Sequence, residues 1–355
     1  MREILNRLTS AGGRLRSAVE RDESDGKQVA TDGGTAVKEG RQETLRNRLP
    51  VQWELIESSP FWLPPLFLAG LFVYGAIFWN FIISLTDWGG LGDADYSQLD
   101  FSMYTRMAGD PTFWQATQNT LVLLVVFTLF CLAMGLLIAI LIDQKIRFEN
   151  TFRTIYLLPM SLSFVVTATL WAWMYNASNG VLNNFLRVLN LEGLIITLLK
   201  PAAVQATTIQ WLSWSTTALG AVIFALLWQF SGYAMVVFLA GLRAIPDEHY
   251  EAARVDGAST VRMYMRVIIP QLRAPAVSAS VVLMVFALKA FDFIFALRGD
   301  QPGANIDILA TMMYREAFTG GNEWAYGSAI AIVLFVLALL VIAPYLYSEY
   351  QRGEL

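Results

Sequence analysis

The sequence predicts an all-α polytopic membrane protein with six transmembrane helices and a structured cytoplasmic loop between the fourth and fifth. Three observations carry that prediction. Hydrophobic residues make up 55% of the 355 positions and charged ones only 15%, and mean hydropathy is +0.48, a balance rare in soluble domains. Six nearly uncharged apolar runs are each long enough to cross a ~30 Å hydrocarbon core, which takes about 20 helical residues. Lys and Arg gather on alternate connections, as the positive-inside rule requires of cytoplasmic ones.

Residues 1–55 read as a disordered cytoplasmic tail, rich in Arg, Asp, Glu, Gly and Ser, with a short amphipathic stretch at Ile4–Leu15. The tail lacks the charged-then-apolar order of a cleavable signal peptide. The membrane region spans 60–350, with predicted spans at 64–86, 117–142, 154–176, 217–241, 274–297 and 325–347. Open strand edges cannot be satisfied in lipid, so these spans must be helices.

With the N-terminus in the cytoplasm, the tail contributes ten Lys or Arg, the 143–153 loop adds Lys145, Arg147 and Arg153, and the 242–273 loop adds five arginines. The opposite side carries only Arg106, Arg187, Lys200, Arg298 and Arg315, and its first loop is acidic (Asp87, Asp93, Asp95, Asp100, Asp110). Both termini are therefore expected in the cytoplasm. The external segment 177–216 contains two short amphipathic pieces, VLNNFLRVLNL and LIITLLK, suited to interfacial packing or to an external partner. The lone Cys131 lies inside an apolar run, so no disulfide framework or cysteine metal site can form within the chain. The net charge of −4 excludes no class of partner.

The loop at 245–270 has more structure than a connector needs. Pro246 fits a first helical turn, and Asp247, Glu248 and Glu251 favour the positive end of a helix. Gly257 should end that helix, because glycine takes a left-handed cap without steric cost. Ser259 can cap a second helix that stops before Pro270. On it Val261, Tyr264, Met265 and Ile268 fall at i, i+3, i+4 and i+7, apart from Arg262 and Arg266. The expected product is a glycine-hinged wedge with one apolar face, suited to a groove on a soluble partner. The only histidine, His249, suits either a bland surface role or a pH-sensing one.

The pattern Glu251-Ala252-Ala253, three residues, Gly257, nine residues, then Val267-x-Ile269-Pro270 resembles the cytoplasmic signature of ATP-binding-cassette importer permeases. Its place between the fourth and fifth of six spans strengthens the likeness. NTLVLLVVFTLFCLAMGLLIAIL, FRTIYLLPMSLSFVVTATLWAWMY, WQFSGYAMVVFLAGLRAIPDEHYEAA and KAFDFIF are similar to blocks of the carbohydrate-uptake branch, which includes maltose and glycerol-phosphate permeases. The resemblance covers about 60–350. The family's usual Thr-x-Gly-Gly-Pro after the fifth span reads Arg298-Gly299-Asp300-Gln301-Pro302 here, and the insert near 191–210 is longer than the family's norm.

The resemblance implies one half of a two-permease pore in the cell membrane, with a sister permease, two cytoplasmic ATPases and an external solute-binding protein. No nucleic acid is implied. Glu251, Ala252, Ala253, Gly257 and Pro270 would form the coupling element, with Tyr250, Ala253, Val261 and Met265 as groove contacts. The chain has no GxxxxGK(S/T) phosphate loop, so ATP and Mg belong to the partner ATPase and no cofactor is expected in this chain.

Lys289 and Asp292, three residues apart in the fifth span, are costly in lipid, at about 2.5–3.5 kcal/mol each at a helix centre. They read either as an internal ion pair or as a lining of the solute path. Trp228, Tyr233 and Phe291 could stack on sugar rings beside Gln229. Met160, Ser163 and Phe164 follow the helix-perturbing Pro159 and could face a cavity. Trp171 and Trp173 are expected in an outer aromatic belt. A membrane enzyme lacks a catalytic constellation here. An ion-coupled secondary transporter, or an importer for polyamine, phosphate or glycerol phosphate, are the alternatives.

Overall fold

The computed structural model describes residues 50–144, 147–201, 207–299 and 302–352, and every regular element among them is helical. The tail reading therefore lies outside the described residues, except at 50–55, where the first helix has already begun. Among the described residues, four helices are long and apolar enough to cross a membrane alone: Ser58–Ile83, Pro111–Asp143, Ala218–Arg243 and Trp324–Pro344. Three further pairs there pass together but are bent, so by length and composition these residues hold four to seven candidate crossings.

The chain divides into two units, 1–75 and 76–355. The described part of the first is the helix Pro50–Ala69, which continues through a π turn at Gly70–Tyr74. It holds Pro60, Pro64 and Pro65, and each proline removes a backbone donor from the helical ladder.

The second unit is built on two long helices. Pro111–Asp143 starts at a proline in the first turn, with Asp110 Oδ1 accepting from the Thr112 amide at 2.8 Å. It packs on Ala218–Arg243 where Gly135 meets Ala234, so closely that a Cβ on Gly135 would lie 2.4 Å from Ala234 Cβ. On the same partner helix Gly232 meets a different neighbour, the helix Glu149–Leu157, and a Cβ there would lie 2.1 Å from the Tyr156 carbonyl oxygen. Small residues allow such contact, which replaces the missing hydrophobic drive between helices in lipid. Around the crossing, Phe127, Leu226 and Phe230 pack with Leu283, Phe293 and Ile294.

Two of the expected spans are interrupted. The third divides into Glu149–Ser161 and Phe164–Met174, bent by 97°. Pro159 lies in a 3₁₀ turn, and Ser163 restarts the helix by accepting from the Val166 amide at 3.3 Å. The Leu162 carbonyl at this break accepts from Gln229 Nε2 at 2.9 Å. In the fifth, Arg273–Leu288 stops and Phe291–Arg298 begins afresh. The charges explain the register. Lys289 sits at the negative end of one helix and Asp292 in the first turn of the next, each where the helix dipole favours it.

The insert at 177–216 includes two helices, Val181–Val188 and Glu192–Leu199, bent by 115°. Buried Asn183 ties it down, donating to the Ala177 and Ile209 carbonyls and accepting from Trp211 Nε1. One expectation is corrected nearby. Trp171 is only 4% exposed, because its ring packs edge-on against Phe224 and Trp228; only Trp173 presents an open, belt-like face.

Candidate functional site

The 245–270 loop folds as two short helices about a glycine. The first, Asp247–Val255, carries Asp247 and Glu248 in its first turn and Arg254 in its last, all favoured by the dipole. Its end is a Schellman motif. The Gly257 amide donates to the Arg254 carbonyl and the Ala258 amide to the Ala253 carbonyl, both at 3.0 Å. Gly257 sits at φ +72° with open space around a would-be Cβ, so backbone conformation, not crowding, demands glycine. Ser259 caps Thr260–Met263 by accepting from the Arg262 amide at 3.4 Å, and the helix passes through a π turn at Tyr264–Ile268.

The expected single apolar face divides in two. Met263, Tyr264 and Ile268 are buried with Ala253, Leu242 and Leu272. Val261 and Met265 point outward at 74% and 63% exposure, joined by Val255 at 87%. Glu251, Ala252 and Pro270 are exposed. Ala253 is therefore packed against its own chain, and Tyr250 is half-buried beside Tyr264. Val255, not singled out from the sequence, follows from the helix repeat once Ala253 is known to face inward.

Behind the wedge lies a cavity of about 910 Å³, lined by Asp143, Glu149, Arg243, Glu251, Arg254 and Tyr264 among others. Arg243 pairs with Glu149 across it, and Tyr264 is held by Gln144 Nε2 at 2.7 Å. Burial, then the charge of Asp143, pushes the Tyr250 phenol up to about 12. It is neutral at physiological pH, and its hydroxyl finds no hydrogen-bond partner among the described residues. The same two causes raise Tyr264, against the opposing bond from Gln144.

The residues expected to line a solute path are distributed over three places. Phe164 joins Phe230, Phe286 and Phe293 in an aromatic knot, next to half-buried Met160 and exposed Ser163. Trp228 belongs to a separate group with Trp171. Gln229 is buried with its Oε1 unpartnered, and Tyr233 is half-buried. Phe291 stacks on Phe295, beyond the break that exposes Lys289 and Asp292. No ion pair joins Lys289 to Asp292 among the described residues. Nor do three His, Cys, Asp or Glu side chains there converge as metal ligands.

A helical multi-pass protein bearing an exposed apolar wedge is given its class, a transport permease, by its sequence relatives. Residues 131–352 match the family described as binding-protein-dependent transport system inner membrane component. The chain is 54% identical to the xylose/arabinose import permease protein XacH of Haloferax volcanii, over 85% of this chain and 90% of that one. It is 49% identical to a probable ABC transporter permease protein of Pyrococcus horikoshii, over 83% and 96% respectively. The fold is also that of a chain in a bacterial alginate ABC transporter crystallised with its alginate pentasaccharide-bound periplasmic protein. There the TM-score is 0.69 at 22% identity, covering 87% of this chain and 98% of that one. The chain belongs to the binding-protein-dependent transport system inner membrane component family.

Proposed function

We propose that this chain is one permease half of an ATP-binding-cassette importer, and that its solute is a sugar or oligosaccharide. The observation that carries the coupling role is the wedge itself: a glycine-capped pair of helices whose exposed valines and methionine have no cover of their own. Each such side chain gains about 1.5–3 kcal/mol on full burial, enough for three to anchor a docked partner. Two ATPase subunits supply ATP and Mg, and a sister permease completes the pore. An external solute-binding protein delivers the sugar. Rigid-body motion of the ATPases rocks the wedge and opens the path in alternation. The sugar assignment is supported by the names of the relatives, which include xylose/arabinose, trehalose/maltose and multiple-sugar permeases.

The topology that fits this reading is six spans, with the broken third and fifth each counted once and the insert left outside. It sets both termini and the wedge in the cytoplasm of a cell-membrane protein. In sequence the chain comprises a tail, 1–55, and a permease domain, 60–350. Glu251, Ala252, Gly257, Val261, Met265 and Pro270 would serve coupling, with Tyr250 and Ala253 holding the wedge from behind. Met160, Ser163, Phe164, Trp228, Gln229, Tyr233, Lys289, Phe291 and Asp292 would line or shape the solute path.

The test is uptake by proteoliposomes holding the complete complex. Sugar should accumulate only with ATP on the ATPase side. Accumulation driven by an ion gradient without ATP would make the chain a secondary transporter instead. Within the same system, Lys289→Gln and Asp292→Asn should lower uptake roughly tenfold, the equivalent of about 1.4 kcal/mol, with assembly intact. Variants that merely fail to insert would point to a structural role for the two charges.

A further inference from the structure

Six aromatic rings form an unbroken file from the break in the fifth span to the loop after the first. Phe291 stacks on Phe295 at 5.4 Å, and both meet Tyr314, at 5.1 and 5.3 Å. Tyr314 meets Phe318 at 5.3 Å, Phe318 meets Trp324 at 5.2 Å, and Trp324 meets Trp88 at 5.8 Å. None of the six is buried, and Phe318 is 54% exposed. The outer two are pinned by their own indole nitrogens: Trp88 Nε1 donates to the Gly92 carbonyl at 2.6 Å and Trp324 Nε1 to the Gly90 carbonyl at 3.1 Å. That spends their polar edges, so what the six partly exposed rings still offer is apolar ring surface.

At the inner end of the file, Phe291 is followed directly by Asp292 and stands two residues after Lys289, both exposed. This combination decides among possible occupants. Lipid tails are a poor cover, because uncompensated Lys and Asp are expensive in hydrocarbon. The core of a subunit interface is a poor fit as well, since such cores favour aromatics but are depleted of Lys and Asp. A carbohydrate needs both features at once: π faces for its apolar C–H surface, and charged or polar groups to orient its hydroxyls.

The geometry points to a carbohydrate-stacking lane along Trp88, Trp324, Phe318, Tyr314, Phe295 and Phe291, leading sugar from the outer mouth to the Lys289–Asp292 break. This inference rests on the sugar-permease reading and extends it to residues on the loops and on the last helix. Successive rings offer equivalent weak sites, so a sugar ring can pass along without a deep trap.

The complete complex in proteoliposomes, given radiolabelled arabinose, xylose, trehalose and maltose in turn, tests it. Phe295→Leu and Phe318→Leu should each lower the specific uptake rate at limiting sugar by about three- to tenfold. Phe295→Tyr and Phe318→Tyr, which keep a ring, should stay near the wild-type rate, and all four variants should retain the sister permease on size exclusion. Leucine variants as active as wild type in a complex that transports sugar would overturn the lane. So would tyrosine variants as impaired as leucine, or loss of the sister permease, which would make the file a subunit seam. A wild-type complex that hydrolyses ATP yet takes up none of the four sugars would instead sink the underlying sugar reading.

Discussion

A Gly257→Val variant is expected to insert in the membrane and yet lose most ATP-driven uptake. The reason is conformational. Gly257 holds φ +72°, where an L-residue's Cβ crowds its own backbone at about 1–2 kcal/mol, and a β-branched residue fares worse. Nothing lies within 4 Å of a built Cβ, so no neighbour has to move and the strain falls on the cap alone. The cap is held by only two backbone bonds, from Gly257 and Ala258. A strain of about 1–2 kcal/mol therefore cuts the ratio of formed to open cap by roughly 5–30-fold. Once the cap opens, Val255 and Val261 no longer share a fixed spacing across the hinge. Gly257→Asn makes the sharper comparison, because asparagine tolerates the left-handed region far better than valine, and it should keep much of the uptake. ATPase retention on purified complexes and ATP-dependent uptake are the readouts. Normal uptake in the valine variant would remove Gly257 from the coupling role. Equal failure of valine and asparagine would show that the backbone conformation is not the cause.

What was legible in the sequence follows from the range over which each signal acts. A glycine after a run of helix formers, a serine three residues before Arg262, and acidic residues in a first turn are local signals, and they gave the wedge its hinge and caps. The single apolar face over Val261, Tyr264, Met265 and Ile268 was not legible as two faces. Helical spacing says which residues are neighbours, but not that one line packs under Leu242 and Leu272 while the other stays open. Hydropathy likewise marked the 274–297 run without its interruption. A Lys followed three residues later by an Asp is the order in which one helix ends and another starts, and that was the available cue. Trp171 was read by its depth along the span. Its burial is set by Phe224 and Trp228 on another helix, a tertiary fact with no local trace. The aromatic file was invisible for the same reason: its members come from four separate stretches of chain.

Replacing Asp307 with alanine should be among the most damaging single changes outside the wedge. This carboxylate is 2% exposed and is held on both oxygens, by Thr311 Oγ1 at 2.6 Å and by Arg315 Nη1. Its backbone carbonyl and that of Ala304 both accept from Asn119 Nδ2 at 2.8 Å, and the Leu309 amide donates to Thr120 Oγ1. The 304–311 segment is thus bolted to the start of the 111–143 helix. Burial alone would push the Arg315 guanidinium below its usual range, but its bond and charge contact with Asp307, with help from Glu316, hold it above. Removing the carboxylate takes the charge-assisted bond from Arg315 and leaves Glu316 as its remaining counter-charge, a loss of roughly 1.5–3 kcal/mol. Tyr314 adjoins Arg315, so a loosened bolt also displaces the middle of the aromatic file. The expected result is a large fall in the thermal stability of the detergent-solubilised complex. Asp307→Asn, which keeps the shape and the Thr311 bond, should lie between alanine and wild type. The decisive arm is the double variant Asp307→Ala/Arg315→Met. An apolar side chain of similar length removes the charge that has lost its main partner, so the double variant should be more stable than Asp307→Ala alone. If it is no better, the damage comes from lost packing at 307 rather than from a guanidinium deprived of its main partner, and the Asp307–Arg315 ion pair is not what secures this loop.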